Sequence, residues 1–168
     1  MDIGAHVGRY SVKLAKHCRW VYSFEPNPIT RKALEANVRL NEERNVTILP
    51  YACWNTNSIR HLTLKRSGSR LFVGKVPETI EVKTVPMDEV VSESEEVELV
   101  KIDVEGAEYQ VIQGMKRTLV KWKPHLIIEV HRWGGQGEEI ESFLRNYGYR
   151  VRRIGADLID YGYFIVAE

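Results

Sequence analysis

Asp2-Ile3-Gly4-Ala5-His6-Val7-Gly8 opens the chain, and its reading decides the fold. Two glycines four residues apart stand behind an acidic residue and ahead of apolar positions at helical spacing. This is the pattern of a strand-to-helix turn at which a ligand approaches the backbone. Glycine has no Cβ to obstruct the approach, and the first turn of the helix leaves N–H groups unpaired. The spacing is not that of a pyrophosphate-binding loop, Gly-x-Gly-x-x-Gly, which needs a third glycine. Taken alone, an ordinary helix-preceding turn satisfies the pattern equally well.

Beyond the loop, strands and helices alternate. Val7, Tyr10 or Ser11, and Leu14 place a first helix over 7–16, and Trp20 to Phe24 is a short β-type run. Asn27 as N-cap and Pro28 in the first turn start a second helix, which ends near Asn41 and buries Ala33, Leu34 and Val38. Val46 to Leu49 reads as a third strand, so the sheet is expected to be parallel with right-handed crossovers. Ser58 to Lys65 and Thr79 to Val85 alternate polar and apolar residues around Ser67-Gly68-Ser69 and Gly74, the pattern of a β-hairpin insertion. A brief helix is expected at Met87 to Val91. Glu98 to Ile102 is an apolar strand entering Asp103-Val104-Glu105-Gly106-Ala107-Glu108, after which Val111, Ile112 and Met115 mark a helix face. His125 to Val130 is the most β-like run of all. Ile140, Phe143, Leu144 and Tyr147 then form a helical stripe closed by Gly148. Tyr149 to Ile154 and Tyr161 to Ala167 finish the chain as an antiparallel pair.

The 168 residues, 43% hydrophobic, suffice for one substantial core, and a single domain over 1–168 is expected. Lys and Arg number 24 against 23 acidic residues, which leaves no overall field to attract nucleic acid or an acidic membrane. Cys18 and Cys53 have neither zinc-site nor disulfide-framework spacing, as suits a reducing compartment. No apolar run approaches the roughly 20 residues that span a bilayer, and no signal peptide is read, so the expected location is the cytoplasm.

Ligands of an open parallel α/β sheet bind beyond the carboxyl ends of the strands. That rule selects the Gly4 to Gly8 loop, Glu25, the Asp103 to Glu108 block, and Glu129 with His131. Glu25 lies seventeen residues beyond Gly8, where an acid at the next strand end accepts hydrogen bonds from both hydroxyls of a ribose. The pair implies an adenosine-type ligand. Asp2, Gly4, Ala5 and Gly8 supply an acid and small contacts instead of a diphosphate cradle, which favours S-adenosylmethionine (SAM) over a nicotinamide cofactor. By position, Tyr51 and Ala52 lie where an adenine ring would rest.

On these residues the sequence resembles the FkbM-type SAM-dependent methyltransferases. The matching stretches are Asp2 to Ser11, Phe24-Glu25-Pro26-Asn27-Pro28, Asn37 to Asn41, Val85 to Glu89, Ile128-Glu129-Val130-His131 and Tyr147-Gly148-Tyr149. The most particular is Lys101-Ile102-Asp103-Val104-Glu105-Gly106-Ala107-Glu108. The resemblance implies a Rossmann-like class I methyltransferase fold, a mostly parallel twisted sheet with helices on both faces. It also implies activity on hydroxyl oxygens of sugars, polyketides or similar small metabolites. The methionine part of SAM would lie against Gly4, Ala5 and Gly8, and its ribose on Glu25.

Methyl transfer to a hydroxyl needs alignment and a base within hydrogen-bond reach. Asp103, Glu105, Glu129 and His131 are the candidate catalytic residues, with His131 the natural base because its unperturbed pKa lies near 6.5. A surface histidine packed on Trp133 is the alternative. Asp103 positions the SAM amino group or the acceptor, and Glu105 serves the chemistry, fixes the Gly106 turn or caps the helix that follows. Asp103, Glu129 and His131 are residue types that bind divalent ions, but their spacing requires none and no metal is assigned. Trp133 with Gly134, Gly135 and Gly137 would form a mobile aromatic rim. Two rival readings stand, an RNA methyltransferase and a SAM-binding module without catalysis. The latter is motivated by a first strand expected to begin upstream of Asp2, which makes the domain read as truncated at its N-terminus. The exposed edge of such a strand leaves pairing with a second copy open.

Overall fold

The structure is a computed structural model that describes residues 1–64, 71–72, 79–131, 136–155 and 162–168, with the backbone alone at 71–72. Its main sheet has seven strands. The parallel part comprises β1 (Asp2–Ile3), β2 (Val21–Phe24), β3 (Val46–Leu49), β8 (Leu99–Ile102) and β9 (His125–His131), with β1 at its centre between β2 and β8. β11 (Gly162–Ala167) runs antiparallel beside β9, and β10 (Val151–Ile154) closes the edge antiparallel to β11. The terminal antiparallel pair is therefore present, with β11 inserted between β9 and β10. Short as β1 is, the ladder continues past it, since the Met1 carbonyl accepts from the Lys101 N–H at 2.9 Å.

Local chemistry explains the helices. The Asn27 side chain accepts from the Ile29 N–H at 2.9 Å and Pro28 occupies the first turn of α2 (Pro28–Leu40), as the sequence predicts. Gly8 takes φ +86° as the N-cap of α1 (Arg9–Ala15). Leu34 and Val38 of α2 pack with Ala5, Val46 and Ile48 in one cluster. The larger cluster gathers Val111 and Ile112 of α4 (Glu108–Gln113), Leu119 of α5 (Lys116–Lys121) and Ile140 and Leu144 of α6 (Gly137–Asn146) over Ile3, Ile102 and Ile128. Apolar layers thus form against both faces of the sheet.

Two expectations need correction. The run after Glu108 is two short helices, not one, because the chain bends at Gly114. A Cβ there would sit 2.0 Å from the Trp54 carbonyl oxygen, so only glycine allows this close passage. The middle of the chain is also more than a hairpin. β5 (Ser58–Thr63) and β7 (Thr79–Val85) do pair antiparallel, Ser58 opposite Thr84, but β4 (Ala52–Cys53) and β6 (Leu71–Phe72) extend them to a four-stranded sheet. Ser67 to Ser69 and Gly74 lie outside the described residues, as does Tyr161. Met87–Val90 forms the expected short helix α3. Among the described residues, no helix is long and apolar enough to cross a membrane.

Candidate functional site

A cleft of about 200 Å³ opens at the carboxyl ends of β1, β2 and β8, where the sequence places the ligand. Gly4, Glu25, Tyr51, Ala52, Asp103 and Glu105 are among the residues that line it. Gly4 has φ +79°, and its N–H and that of Ala5 both donate to the Phe24 carbonyl, at 3.1 and 3.0 Å. A Cβ on Gly4 would lie 1.8 Å from the Asp103 carbonyl oxygen. This turn brings the backbone after β1 against the strand end that carries the acids.

Glu25 is 6% exposed, and its carboxylate organises the rim. Oε2 accepts from the His6 N–H at 2.8 Å, while Oε1 accepts from the Asn27 N–H and the Thr30 hydroxyl, each at 2.9 Å. An ionised carboxylate has about four acceptor positions, so these three bonds leave Oε2 capacity for a ligand hydroxyl. At the other end, Tyr51 carries the Lys83 ammonium 5.4 Å from its ring centroid, and Leu62 of β5 joins Ala52 and Cys53 in the lining. The inserted sheet therefore supplies an apolar wall where an adenine would rest.

Three predicted contacts lie below this surface. Asp2 is fully buried and does not line the cleft; it accepts from the Ser11 hydroxyl at 2.6 Å and faces the Lys101 ammonium at 3.5 Å, tying α1 to the sheet. Gly8 packs against Leu34 of α2, and Ala5 belongs to the same apolar cluster. A side chain at the end of so short a strand alternates face with its neighbours, and Asp2 points under the loop.

The acidic block forms a tight turn, with Glu105 at φ +57° and Gly106 at φ +102°. Its Gly106 N–H donates to Glu108 Oε1 at 2.9 Å, so Glu108 and not Glu105 fixes the turn. Glu105 instead reaches His131, its Oε2 lying 3.5 Å from Nε2. His131 is the last residue of β9 and 5% exposed, which argues against the alternative of a surface histidine. Its Nδ1 lies 3.0 Å from Glu108 Oε1, and its Nε2 lies 3.9 Å from Glu129 Oε1. Burial alone would lower the pKa of His131. The Glu108 hydrogen bond and the charges of Glu105, Glu108 and Asp103 outweigh it and hold the ring above its ordinary 6.5. Burial, then repulsion from Asp103, raises Glu129, partly offset by His131 and Lys101.

Sequence reasoning missed two members of this site. Lys101 places its ammonium 3.3 Å from the Gly4 carbonyl and 3.4 Å from Asp103, and lies 5.1 Å from the Tyr10 ring centroid. Glu108 carries no role predicted from the sequence, although a carboxylate in the first turn of a helix beside a glycine turn is a signal for one. Asp103, Glu129 and His131 each bring a ligand-type atom within 4.8 Å of the others. Lys101 stands 3.4 Å from Asp103, and Glu108 stands on His131 Nδ1, leaving Nε2 toward Glu105 and Glu129. Trp133, Gly134 and Gly135 lie outside the described residues, and Gly137 is buried in α6 against the Tyr163 hydroxyl instead of lining a rim.

The chain is similar to several known methyltransferases. Hexuronic acid methyltransferase AglP of Haloferax volcanii is 27% identical over 135 residues, covering 77% of this chain and 54% of that protein. Methyltransferase sdnD of Sordaria araneosa is 22% identical, covering 94% and 75%. Among solved structures, methyltransferase FkbM of Methylobacillus flagellatus superposes with a TM-score of 0.76 at 16% identity over 99% of this chain and 42% of its own. The Streptococcus mutans protein SMU.1697c, solved in complex with S-adenosylhomocysteine (SAH), superposes at 0.66 with 12% identity, covering 99% and 85%. The chain thus spans about half the length of the first of these relatives. The fold is that of class I methyltransferases, and SAM is the cofactor of the family. Residues 2–151 match the methyltransferase FkbM domain, and the chain belongs to that family.

Proposed function

We propose that this chain transfers the methyl group of SAM to a hydroxyl oxygen of a sugar or similar small metabolite. The observation that carries the reading is His131, whose Nε2 lies 3.5 Å from Glu105, a carboxylate that lines the cleft. The residues present fit SAM. Gly4 lines the cleft without a side chain, Glu25 retains acceptor capacity for a ribose hydroxyl, and Tyr51, Ala52 and Leu62 form an apolar end for adenine. The carboxylates of Asp103 and Glu105 face a cleft suited to a cationic ligand.

When bound, SAM supplies a methyl on a cationic sulfur, whose C–S pair leaves with the sulfur as the oxygen–carbon bond forms. His131 takes the hydroxyl proton on Nε2, Asp103 and Lys101 fix the edge of the cleft, and Glu105 and Glu129 hold the resulting imidazolium. A sugar acceptor accords with the hexuronic acid methyltransferase among the relatives. The near balance of 24 basic and 23 acidic residues provides no excess for an RNA backbone.

Incubation with SAM and a panel of uronic acids and neutral sugars is expected to release SAH together with an O-methylated product by mass spectrometry. Transfer to nitrogen or carbon, or to RNA alone, would overturn the reading. Glu25→Ala is expected to weaken SAH binding by about 1.5–3 kcal/mol for each charge-assisted bond lost, roughly 10- to 150-fold by titration calorimetry. Unchanged affinity in the folded variant would remove the ribose from Glu25.

A further inference from the structure

We propose that Glu108 is a positioning residue for His131, a buried carboxylate that fixes the ring and presents Nε2 to the acceptor. The proposal rests on the reading of His131 as the base. Its geometry is independent of that reading. Glu108 begins α4, is fully buried, and through Oε1 engages both the Gly106 N–H at 2.9 Å and His131 Nδ1 at 3.0 Å. One oxygen thus joins the acidic turn after β8 to the last residue of β9, 23 positions away.

A purely structural role explains only half of this arrangement. The Gly106 turn needs a single acceptor, which a neutral side chain could provide. Here the second oxygen, Oε2, is completely buried and has no hydrogen-bond partner among the described residues. A buried ionised carboxylate with an unsatisfied oxygen is costly unless a positive charge stands beside it. His131 supplies that charge when it takes a proton. The cost at Glu108 therefore becomes a stabilisation of the imidazolium at the moment the base acts.

The shared oxygen also assigns the tautomer. Oε1 already accepts from the Gly106 N–H, and where it accepts from the ring as well, Nδ1 carries the proton and the lone pair of the neutral ring sits on Nε2. Nε2 is the nitrogen 3.5 Å from Glu105, and Glu105 lines the cleft. Among the described residues, the charged groups facing His131 are Asp103 at the end of β8, Glu105 in the turn, Glu108 on α4 and Glu129 on β9 itself. Lys101 of β8 partly neutralises Asp103. Because the base must be neutral to accept a proton, the rate should climb with pH and level off above the His131 pKa. Removing the charge of Glu108 removes one of the influences that raise that pKa, so the inflexion must move to lower pH.

Glu108→Gln isolates this charge, since its amide oxygen still accepts from Gly106 and from Nδ1. The pH profile of kcat/KM is expected to shift its inflexion downward, with a plateau loss of roughly 10-fold and SAH affinity unchanged. An unmoved inflexion with kcat within about twofold of the parent would overturn the proposal. If His131→Gln retains full activity, the base reading itself fails; if it is inactive and Glu108→Gln is silent, only the positioning role fails. Should Glu108→Gln not fold, the imidazole ¹⁵N shifts of the unaltered protein decide. A neutral ring protonated on Nδ1 supports the proposal, and one protonated on Nε2 overturns it.

Discussion

Gly4→Ala is expected to lower the stability of the domain by roughly 4 kcal/mol, adding about 1–3 kcal/mol of left-handed backbone strain to about 1–3 kcal/mol of overpacking. For a domain of 168 residues that corresponds to a fall in Tm of roughly 8–16 °C. The two contributions have separate sources. At φ +79° an L side chain is strained whatever the space, and here the new Cβ would lie 1.8 Å from the Asp103 carbonyl oxygen, a backbone atom of the neighbouring strand end. Gly8 offers an internal control. Its φ of +86° is equally left-handed, but its Cβ would meet the Leu34 Cδ1 at 2.3 Å, the end of a side chain that can rotate away. Thermal unfolding of the two variants should therefore show the larger loss at position 4. Equal losses would show that the β1 loop does not close on Asp103 as described. Any fraction of Gly4→Ala that folds should also bind SAH poorly, because the same displacement moves one wall of the cleft.

His131→Gln is expected to reduce kcat by about 10²- to 10⁴-fold, the usual contribution of a positioned general base, while SAH affinity stays within about twofold. Glutamine retains an N–H able to reach Glu108, so the buried carboxylate keeps a partner and the fold is preserved. Because Gly4, Glu25 and Tyr51 line the cleft and His131 lies behind Glu105, the loss should appear in turnover rather than in cofactor binding. The wild-type rate should rise with pH through an inflexion above 6.5, since surrounding carboxylates hold the ring protonated beyond its ordinary range. A kcat within tenfold of wild type, or a defect confined to SAH binding, would take His131 out of the reaction.

Much of the fold and the site is legible in local signals. Asn27 and Pro28 announce the start of α2 because capping chemistry depends on residues a few positions apart, and Gly4 and Glu25 mark strand ends for the same reason. The rule that ligands gather at those ends selects Asp103, Glu129 and His131 without knowledge of any contact. The features that stay hidden depend on packing between distant elements. Parallel pairing sets Ile102 against Ile128, so Asp103 and Glu129 come side by side, but no local pattern states that register. The Glu108 to His131 contact joins a helix start to a strand end. The exchange of roles between Glu105 and Glu108 stems from a left-handed turn at Glu105 that periodicity cannot foresee. Asp2 reads as a cofactor contact because it is acidic and adjacent to the loop, whereas burial beneath α1 commits it to Ser11 and Lys101. Gly114 likewise splits one helical stripe into two helices because Trp54 passes so close.

If SAM binds as proposed, it occupies the cleft between Gly4, Glu25, Tyr51 and Asp103. A crystal structure of the chain with SAH tests that placement most directly. The ribose hydroxyls are predicted on Glu25, the adenine between Tyr51 and Leu62, and the sulfur toward Asp103 and Glu105. Density for SAH elsewhere, for instance in the hollow at the opposite end of the strands between Met1, Trp20 and Leu99, would contradict the account.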